Sequence, residues 1–578
     1  MLSTKSIFGD LNEGQREVVK KITGHVLVVA GPGSGKTLAI VRRIAYMVQT
    51  GVSPESVLAV TFTNRAAREM RERLRALLGV TACRVFVGTL HLLGLRIIRD
   101  SASNGLTVYN REEQTNLLGP LVRGTGWKVA DIADRISYTK SLAHDPEDDI
   151  KLIFNEYQAG MSALRALDFD DLILRPIELL NNPDLGTRYR EQIQHIIVDE
   201  YQDINPAQYR LLKLISGEKT NMCAVGDPDQ AIYGFRGADV GNFLNFQNDF
   251  AGATEISLGM NYRSSGNIVR SSGIMISNNT KRIDKSTCPA KGDGPLVVVT
   301  CVPDEKEAGD YIVRKIESRM GGLSHYRLSR MNAGNGFSGS SLGFSDFAVL
   351  FRTNNQSETI EEGLAEAGIP CRVLGKGHAG DGVRSRNTVF SLQQYASSKE
   401  NSIRLCEMKA VDIIESFLQD HSLGKDDAAQ LTNQITLMIG DGWINARARD
   451  LVDELNILTP ADDYDPRADA VALMTLHMAK GLEFRVVFIC GVEDGLIPYR
   501  SSKRSEDLEE ERRLLYVGMT RARDELFLIH RRSSYFYGRR TDMFPSPFLS
   551  EIPEVNISKI TIPAKPQKSQ RKQQMKLF

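Results

Sequence analysis

Hydrophobic and polar positions along the chain fall into two alternating rhythms. Short, almost wholly apolar runs at residues 26–29, 57–62, 196–198 and 222–225 have the length and continuity of strands buried on both faces. Between them lie stretches with helical spacing, such as Leu38, Ile40, Val41 and Ile44. Strand and helix in repeated alternation predict an α/β fold with a parallel sheet, reaching to about residue 260. From about 96 to 167 the pattern turns helical and polar, including 131–140 and 151–158. A second α/β region starts near Asn261, with strands expected at 296–300, 347–351 and 486–490. The stretch 327–345, rich in Gly, Ser and Asn, reads as a mobile surface loop. Between about 376 and 468 only short helical stretches stand out, at 402–418 and 426–439.

Composition narrows this picture. A chain of 578 residues can bury several cores, so three to five structural units are expected. With 72 basic and 72 acidic residues, overall charge does not announce a nucleic-acid partner, and any such surface must come from local placement. The seven cysteines form no CxxC pair and lie mostly in apolar runs, which predicts buried thiols in a reducing compartment. The N-terminus lacks an apolar signal region and no stretch approaches membrane-spanning length, so a cytoplasmic protein without membrane contact is expected.

The densest chemistry lies in Ala30-Gly31-Pro32-Gly33-Ser34-Gly35-Lys36-Thr37. A strand precedes it and a helix follows, the context a phosphate-binding loop requires. Glycines let backbone N–H groups turn inward around a polyphosphate, and the helix N-terminus adds favourable partial charge. Lys36 would reach the β- and γ-phosphates and the Thr37 hydroxyl would ligate Mg²⁺. The general pattern begins with Gly, and Ala30 stands in that place. A second apolar strand ends in Asp199-Glu200, where Asp199 can hold the metal and Glu200 can polarise the attacking water. A third ends in Asp227-Pro228-Asp229-Gln230, with Gln230 placed to sense a terminal phosphate.

Taken together these motifs resemble those of superfamily 1 DNA helicases of the UvrD/Rep/PcrA type. Leu11-Asn12-Glu13-Gly14-Gln15-Arg16 is similar to the family's adenine-reading Q motif, with Gln15 as the base-recognising amide. Motifs Ia and Ib match at Thr61-Phe62-Thr63-Asn64-Arg65-Ala66-Ala67 and Gly88-Thr89-Leu90-His91, and a further signature at Asp168-Phe169-Asp170-Asp171-Leu172. Motif III matches at residues 226–239 and motif IV at Asn261-Tyr262-Arg263-Ser264. Motif V matches at residues 475–484, and motif VI at 509–513 and 516–522. The matches run in family order from near residue 11 to near residue 530.

The resemblance implies two RecA-like P-loop NTPase domains with helical insertions. Their expected extents are 1–95 with 168–260 (domain 1A), 96–167 (insertion 1B), 261–375 with 469–550 (domain 2A), 376–468 (a reduced insertion 2B) and a basic disordered tail at 551–578. It implies an ATP- and Mg²⁺-dependent motor, with Arg263 and Arg521 as arginine fingers and Tyr262 stacking on adenine. The nucleotide set then comprises Gln15, Ala30, Gly31, Gly33, Ser34, Gly35, Lys36, Thr37, Leu38, Arg43, Tyr262, Arg263, Glu483 and Arg521. Phe62, Tyr233 and Phe235 are the expected base-stacking groups, with Thr63, Asn64, Thr89, His91 and Arg236 near the DNA backbone. His477 joins the DNA set, and with Glu483 it would couple the DNA groove to the ATP site.

The expected activity is 3′–5′ DNA helicase and translocase action on single-stranded DNA and ss/ds junctions, in DNA repair or replication restart. The small 2B region leaves open a translocase that strips bound proteins and unwinds little, and a nucleotide-gated DNA-binding scaffold is a third reading. The C-terminal Gln574-Met575-Lys576-Leu577-Phe578 resembles the bacterial sliding-clamp-binding peptide, which makes the clamp a candidate partner.

Overall fold

The apolar runs become strands whose side chains alternate between two cores, and that alternation explains why they contain so few polar residues. The computed structural model describes residues 7–101, 106–320, 342–374, 391–392, 395, 408–421, 424–439, 447–456, 468–500, 507–536 and 539–564. The chain divides into two compact units, the first made of Met1–Arg263, Asn279–Ala290 and Leu374–Asp465, the second of Ser264–Asn278, Lys291–Val373 and Pro466–Phe578.

In the first unit, β1 (Val26–Ala30), β2 (Val57–Thr61), β3 (Phe86–Thr89), β4 (His195–Asp199), β5 (Asn221–Gly226) and β6 (Thr254–Leu258) form one parallel sheet ordered β3-β2-β4-β5-β1-β6. Val26, Val28 and Ala30 of β1 face one core, shared with Ile40 and Ile44 of the helix Lys36–Gln49 and Met70 and Leu74 of the helix Asn64–Leu78. Leu27 and Val29 face the other, shared with Leu93 and Ile97 of the helix Leu90–Asp100, Ile173 and Ile177, and Phe243 and Phe246. Each large side chain so buried contributes about 1.5–3 kcal/mol of transfer free energy. Because all six strands run the same way, the loops following them emerge along one edge of the sheet. That edge is where ligands bind in open α/β sheets.

The insertion has a core of its own, built from Leu118 and Val122, Ile132 and Ile136, and Ile153, Tyr157 and Met161 on three helices, Arg111–Val122, Val129–Leu142 and Lys151–Ala163. A two-residue parallel pair, Thr107–Val108 with Ala166–Leu167, closes its base. The 1A–1B boundary expected at 95/96 lies inside the helix Leu90–Asp100, because Leu93 and Ile97 belong to the sheet core. A buried ion cluster ties the insertion to the sheet domain: Lys140 Nζ lies 2.6 Å from Asp168 and 2.7 Å from Asp171, and Tyr157 donates to Asp168 at 2.9 Å. This is the structural use of the Asp168–Asp171 signature.

The second unit holds a seven-stranded parallel sheet of β7 (Val297–Val302), β8 (Phe347–Phe351), β9 (Cys371–Val373), β10 (Val471–Thr475), β11 (Phe484–Cys490), β12 (Ala522–Arg531) and β13 (Ile557–Thr561), ordered β9-β10-β8-β11-β12-β7-β13. Its core gathers Phe347, Val349 and Phe351, Val486 and Phe488, and Phe527 and Ile529.

Several expectations need correction. The tail expected from residue 551 begins later, since Ile557–Thr561 pairs in register with β7 through Val297↔Ile557 and Cys301↔Thr561. Ile557 and Ile560 stand three apart, so no period-2 apolar pattern marks the strand beside the basic residues that follow. Residues 279–290, expected in domain 2A, group with the first unit. The 2B region contains helices Ala410–Asp420 and Lys425–Ile439, plus a third at Ala448–Asn456 that the polar sequence concealed. Leu451, Val452 and Leu455 of that third helix share a core with Ile413, Phe417 and Ile435. Of the six described cysteines only Cys223 and Cys490 are buried, while Cys83 and Cys288 are exposed, so the expectation of mostly buried thiols fails. Most of loop 327–345 and all of residues 565–578 lie outside the described residues.

Candidate nucleotide and DNA site

The loop after β1 needs its glycines at two points. Gly33 and Gly35 adopt left-handed φ values of 68° and 80°. A Cβ on Gly33 would lie 2.6 Å from the Arg263 Cβ, and one on Gly35 would lie 2.6 Å from Gln15 Nε2. Ala30, in contrast, is the last residue of β1, paired with Leu258 and fully buried, where a methyl group packs and glycine is not required. Ser34 Oγ donates to the Gly31 carbonyl at 2.7 Å, and Gln15 Nε2 donates to the Ser34 carbonyl at 2.9 Å. Gln15 Oε1 accepts from the Asn12 N–H at 3.1 Å. One N–H and one lone pair of this amide are left for a base edge, which suits adenine's paired donor and acceptor.

Lys36 Nζ lies 3.2 Å from Glu200 Oε1. Burial works against the ammonium, but the carboxylates of Glu200, Asp199 and Asp227 outweigh it and hold the Lys36 pKa above its usual value. Glu200 has a left-handed backbone, φ 55°, a strained state for a non-glycine residue that commonly marks a functional turn. Its N–H donates to Asp199 Oδ1 at 3.1 Å, and Gln202 Nε2 donates to its carboxylate at 2.5 Å. Gln202 Oε1 in turn accepts from the Asp227 N–H at 3.0 Å, and Gln230 Nε2 donates to Asp227 Oδ2 at 2.8 Å. Lys36, Glu200, Gln202, Asp227 and Gln230 thus form one continuous network along the sheet edge.

The donors available to Mg²⁺ are oxygens, Thr37 Oγ1 beside Lys36 and the Asp199 carboxylate. Among the described residues no three or more His, Cys, Asp or Glu side chains form a metal cage. That set fits Mg²⁺, which keeps several waters and takes few protein ligands beside substrate phosphates.

The segment Asn261-Tyr262-Arg263 is laced to the loop. Asn261 Nδ2 donates to the Pro32 carbonyl and the Tyr262 N–H to the Gly33 carbonyl, both at 2.8 Å. The Arg263 N–H donates to Asn261 Oδ1 at 2.9 Å. The Tyr262 ring is exposed, and its hydroxyl accepts from Asn12 Nδ2 at 2.9 Å. The first unit therefore brings together Gln15, the loop 31–37, Asp199, Glu200, Gln230, Tyr262 and Arg263.

Two residues expected at the nucleotide do other work. The Arg43 guanidinium is buried and donates to the Val18 carbonyl at 2.5 Å and the Ile22 carbonyl at 3.4 Å. It joins the helix Lys36–Gln49 to the end of the helix Glu13–Lys20, because seven residues of helix separate it from Lys36 by about 10 Å along the axis. The Leu38 side chain packs against the cluster of Ile7, Leu11, Val19 and Ala45.

Further along the same edge, Phe62 and Tyr233 stack at 4.7 Å with ring planes 23° apart, and Phe235 follows at 6.1 Å. Arg236 lies 5.8 Å and 5.5 Å from the Tyr233 and Phe235 rings. Thr63 and Thr89 cap helices, accepting from the Ala66 and Leu92 N–H groups at 3.2 Å each. Asn64 opens the first of these helices, so the sheet edge presents two further helix N-termini. The His91 ring packs on Phe169 at 4.0 Å. Burial, with the nearby Arg236 charge, pushes the His91 pKa down to about 3, so it serves as a neutral polar group and not as a cation.

Glu483, His477 and Arg521 lie on the second unit. The Arg521 guanidinium is buried there, donating to the Val517 carbonyl at 2.9 Å and the Leu482 carbonyl at 3.1 Å. Glu483 pairs with Arg523 at 3.6 Å, and His477 lies in the turn after β10.

Sequence reasoning passed over Asn12, Gln202, Asn261, Asp227 and the pair Arg282 and Lys285. The first four stand inside or beside motifs and could have been found by asking which polar residues brace the loop. Arg282 and Lys285 sit in an ordinary charged stretch that carries no signal.

The UvrD/REP helicase N-terminal domain matches residues 11–251, and the UvrD-like helicase C-terminal domain matches 256–378 and 444–533. An ATP-dependent DNA helicase PcrA of Leuconostoc citreum is 32% identical over 663 aligned positions, covering 95% of this chain and 86% of the relative. One of Staphylococcus aureus is 30% identical over 654, covering 95% and 87%.

Proposed function

Because this chain belongs to the UvrD/REP helicase family, we propose that it is an ATP-dependent DNA helicase that moves 3′ to 5′ along single-stranded DNA. The observation that carries the reading is the common sheet edge: the Lys36–Gln230 network and the Phe62–Tyr233–Phe235 ladder stand on loops of one rigid sheet. A change at the phosphates is thereby a few residues from a change at the bases, since Gln230 and Tyr233 share one short segment.

In this reading Lys36 and the loop N–H groups hold the polyphosphate, and Gln15 and Tyr262 hold adenine. Thr37 and Asp199 would hold Mg²⁺, which when bound would neutralise phosphate charge. Glu200, already bound to Lys36 and Gln202, accepts the proton of the attacking water as that water approaches the γ-phosphorus. Gln230 orients toward the terminal phosphate, and Arg263 meets the charge that builds on it. Arg521 and Glu483 enter as groups that respond to the nucleotide, on family resemblance. Phe62, Tyr233 and Phe235 stack bases without regard to sequence, while Arg236, Asn64 and the helix N-termini at Thr63 and Thr89 face phosphates, with His91 and His477 as neighbouring polar groups. We place its work in DNA repair or replication restart in the cytoplasm. Among the described residues no helix is long and apolar enough to cross a membrane.

One observation favours a second reading, a translocase that displaces proteins and unwinds little. The alignment with the Leuconostoc relative spans 663 positions against 578 residues here, so that relative carries segments this chain lacks, and the C-terminal family match is interrupted between 378 and 444. The sliding clamp is proposed as a partner through Gln574, Leu577 and Phe578; deleting 574–578 should abolish clamp binding, and unaltered binding would end that idea. ATP hydrolysis measured with and without single-stranded DNA, for the wild type and Lys36→Ala, tests the main reading. Strong DNA stimulation that vanishes in the variant is expected; near-wild-type turnover by Lys36→Ala would contradict it.

A further inference from the structure

After the helix Gly266–Ile276 of the second unit, the chain returns to the first unit over Asn279–Ala290 before leaving again at Lys291. This returning strap is bonded beside the phosphate loop. The Cys288 N–H donates to the Gly259 carbonyl and the Ala290 N–H to the Asn261 carbonyl, both at 2.8 Å. Thr287 Oγ1 lies 3.5 Å from where a Cβ on Gly31 would be.

The strap also delivers two cations into the interior. Lys285 Nζ bonds Asp227 Oδ1 and lies 2.9 Å from Asp229 Oδ2, with its side chain only 4% exposed and both aspartates at 0%. Arg282 binds Asp229 through Nη2 at 3.0 Å and Nε at 3.2 Å. Asp229 therefore has two cationic partners, whereas Asp227 takes Lys285 on one oxygen and the Gln230 amide on the other. A buried carboxylate clamped from one side holds its second oxygen, and whatever that oxygen binds, in a fixed place.

We propose that Lys285 is a positioning residue of the ATP site. It fixes Asp227, and through Asp227 it sets the Gln230 amide and the charge balance around Lys36. The strap that carries it is continuous on both sides with the second unit. This rests on the ATPase reading above.

The role differs from plain stabilisation in what it moves. In this reading nucleotide binding rests on the phosphate loop, Gln15 and Tyr262, whereas Lys285 bonds Asp227, whose other oxygen carries the Gln230 amide. Lys285→Met should therefore lower kcat at saturating ATP by about tenfold or more, as misplacement of catalytic groups does. The Kd for a fluorescent non-hydrolysable ATP analogue should change by less than about threefold. Lys285→Arg, which keeps the charge and a donor to Asp227, should recover most of the lost turnover. Should Lys285→Met fail to fold, Asp227→Asn reads the same link from the other side, and lowered kcat with retained analogue binding is again expected. Equal kcat in Lys285→Met and wild type, or parallel loss of kcat and binding that Lys285→Arg does not rescue, would overturn the proposal alone. Absence of analogue binding by the wild-type chain would overturn the ATPase reading together with it.

Discussion

At Gly33 the φ of 68° and the 2.6 Å approach to Arg263 act together, so no side chain fits without moving the loop or Arg263. Gly33→Ala should cost about 1–2 kcal/mol in a thermal melt and lower ATP hydrolysis disproportionately. Unchanged hydrolysis would mean that Arg263 has no part in it. For Arg263→Ala the expectation is slower hydrolysis with ATP affinity much less affected, read from kcat and Kd side by side. The pH behaviour of His91 follows from its pKa, pushed down to about 3 by burial and by Arg236. A depressed histidine pKa means the neutral form throughout the physiological range. An NMR titration should then show no His91 protonation step between about pH 5.5 and 8, and a step near its ordinary value would contradict the packing on Phe169. Of these features, the glycine-rich loop and Arg263 were legible as sequence patterns. The close approach between them was not, because residues so far apart in the chain meet only after β1 and β6 pair.

At the scale of elements, strands were easier to read than boundaries. Runs such as VLVVA and VLAVT could be little else than strands buried on both faces. The helix Leu90–Asp100 runs across the boundary expected at 95/96, since Leu93 and Ile97 on either side of it pack into the same sheet core. Likewise β13 lies at the sheet edge with Ile557 buried and the residues after it half-buried or exposed, so its sequence looks like the basic tail that follows. The join between insertion and sheet domain depends on Lys140, whose buried ammonium serves two carboxylates. Burial disfavours that charge, yet Asp168 and Asp171 hold the Lys140 pKa above its usual value. Lys140→Met would leave those carboxylates uncompensated and should cost about 3–5 kcal/mol, measured by denaturant unfolding. A loss under about 1 kcal/mol would show that the cluster does not hold the insertion in place. The aromatic ladder is a second element with a simple test: Tyr233→Ala should weaken single-stranded DNA binding by about 1–3 kcal/mol at fixed salt, with ATP binding retained.

For the molecule as a whole, the first unit places the Lys36–Gln230 network and the Phe62–Tyr233–Phe235 aromatic ladder on one edge of one sheet, and the strap Asn279–Ala290 carries chain from the second unit into the same network. The helices described between 410 and 456 contain none of the residues proposed for hydrolysis. The most direct measurement is strand separation on a partial duplex with a 3′ single-stranded tail, with ATP turnover followed in the same reaction. The account predicts separation that needs ATP and the 3′ tail and is lost in Lys36→Ala. DNA-stimulated turnover without separation would contradict the helicase reading in favour of a translocase, and separation from a 5′ tail alone would contradict the proposed direction.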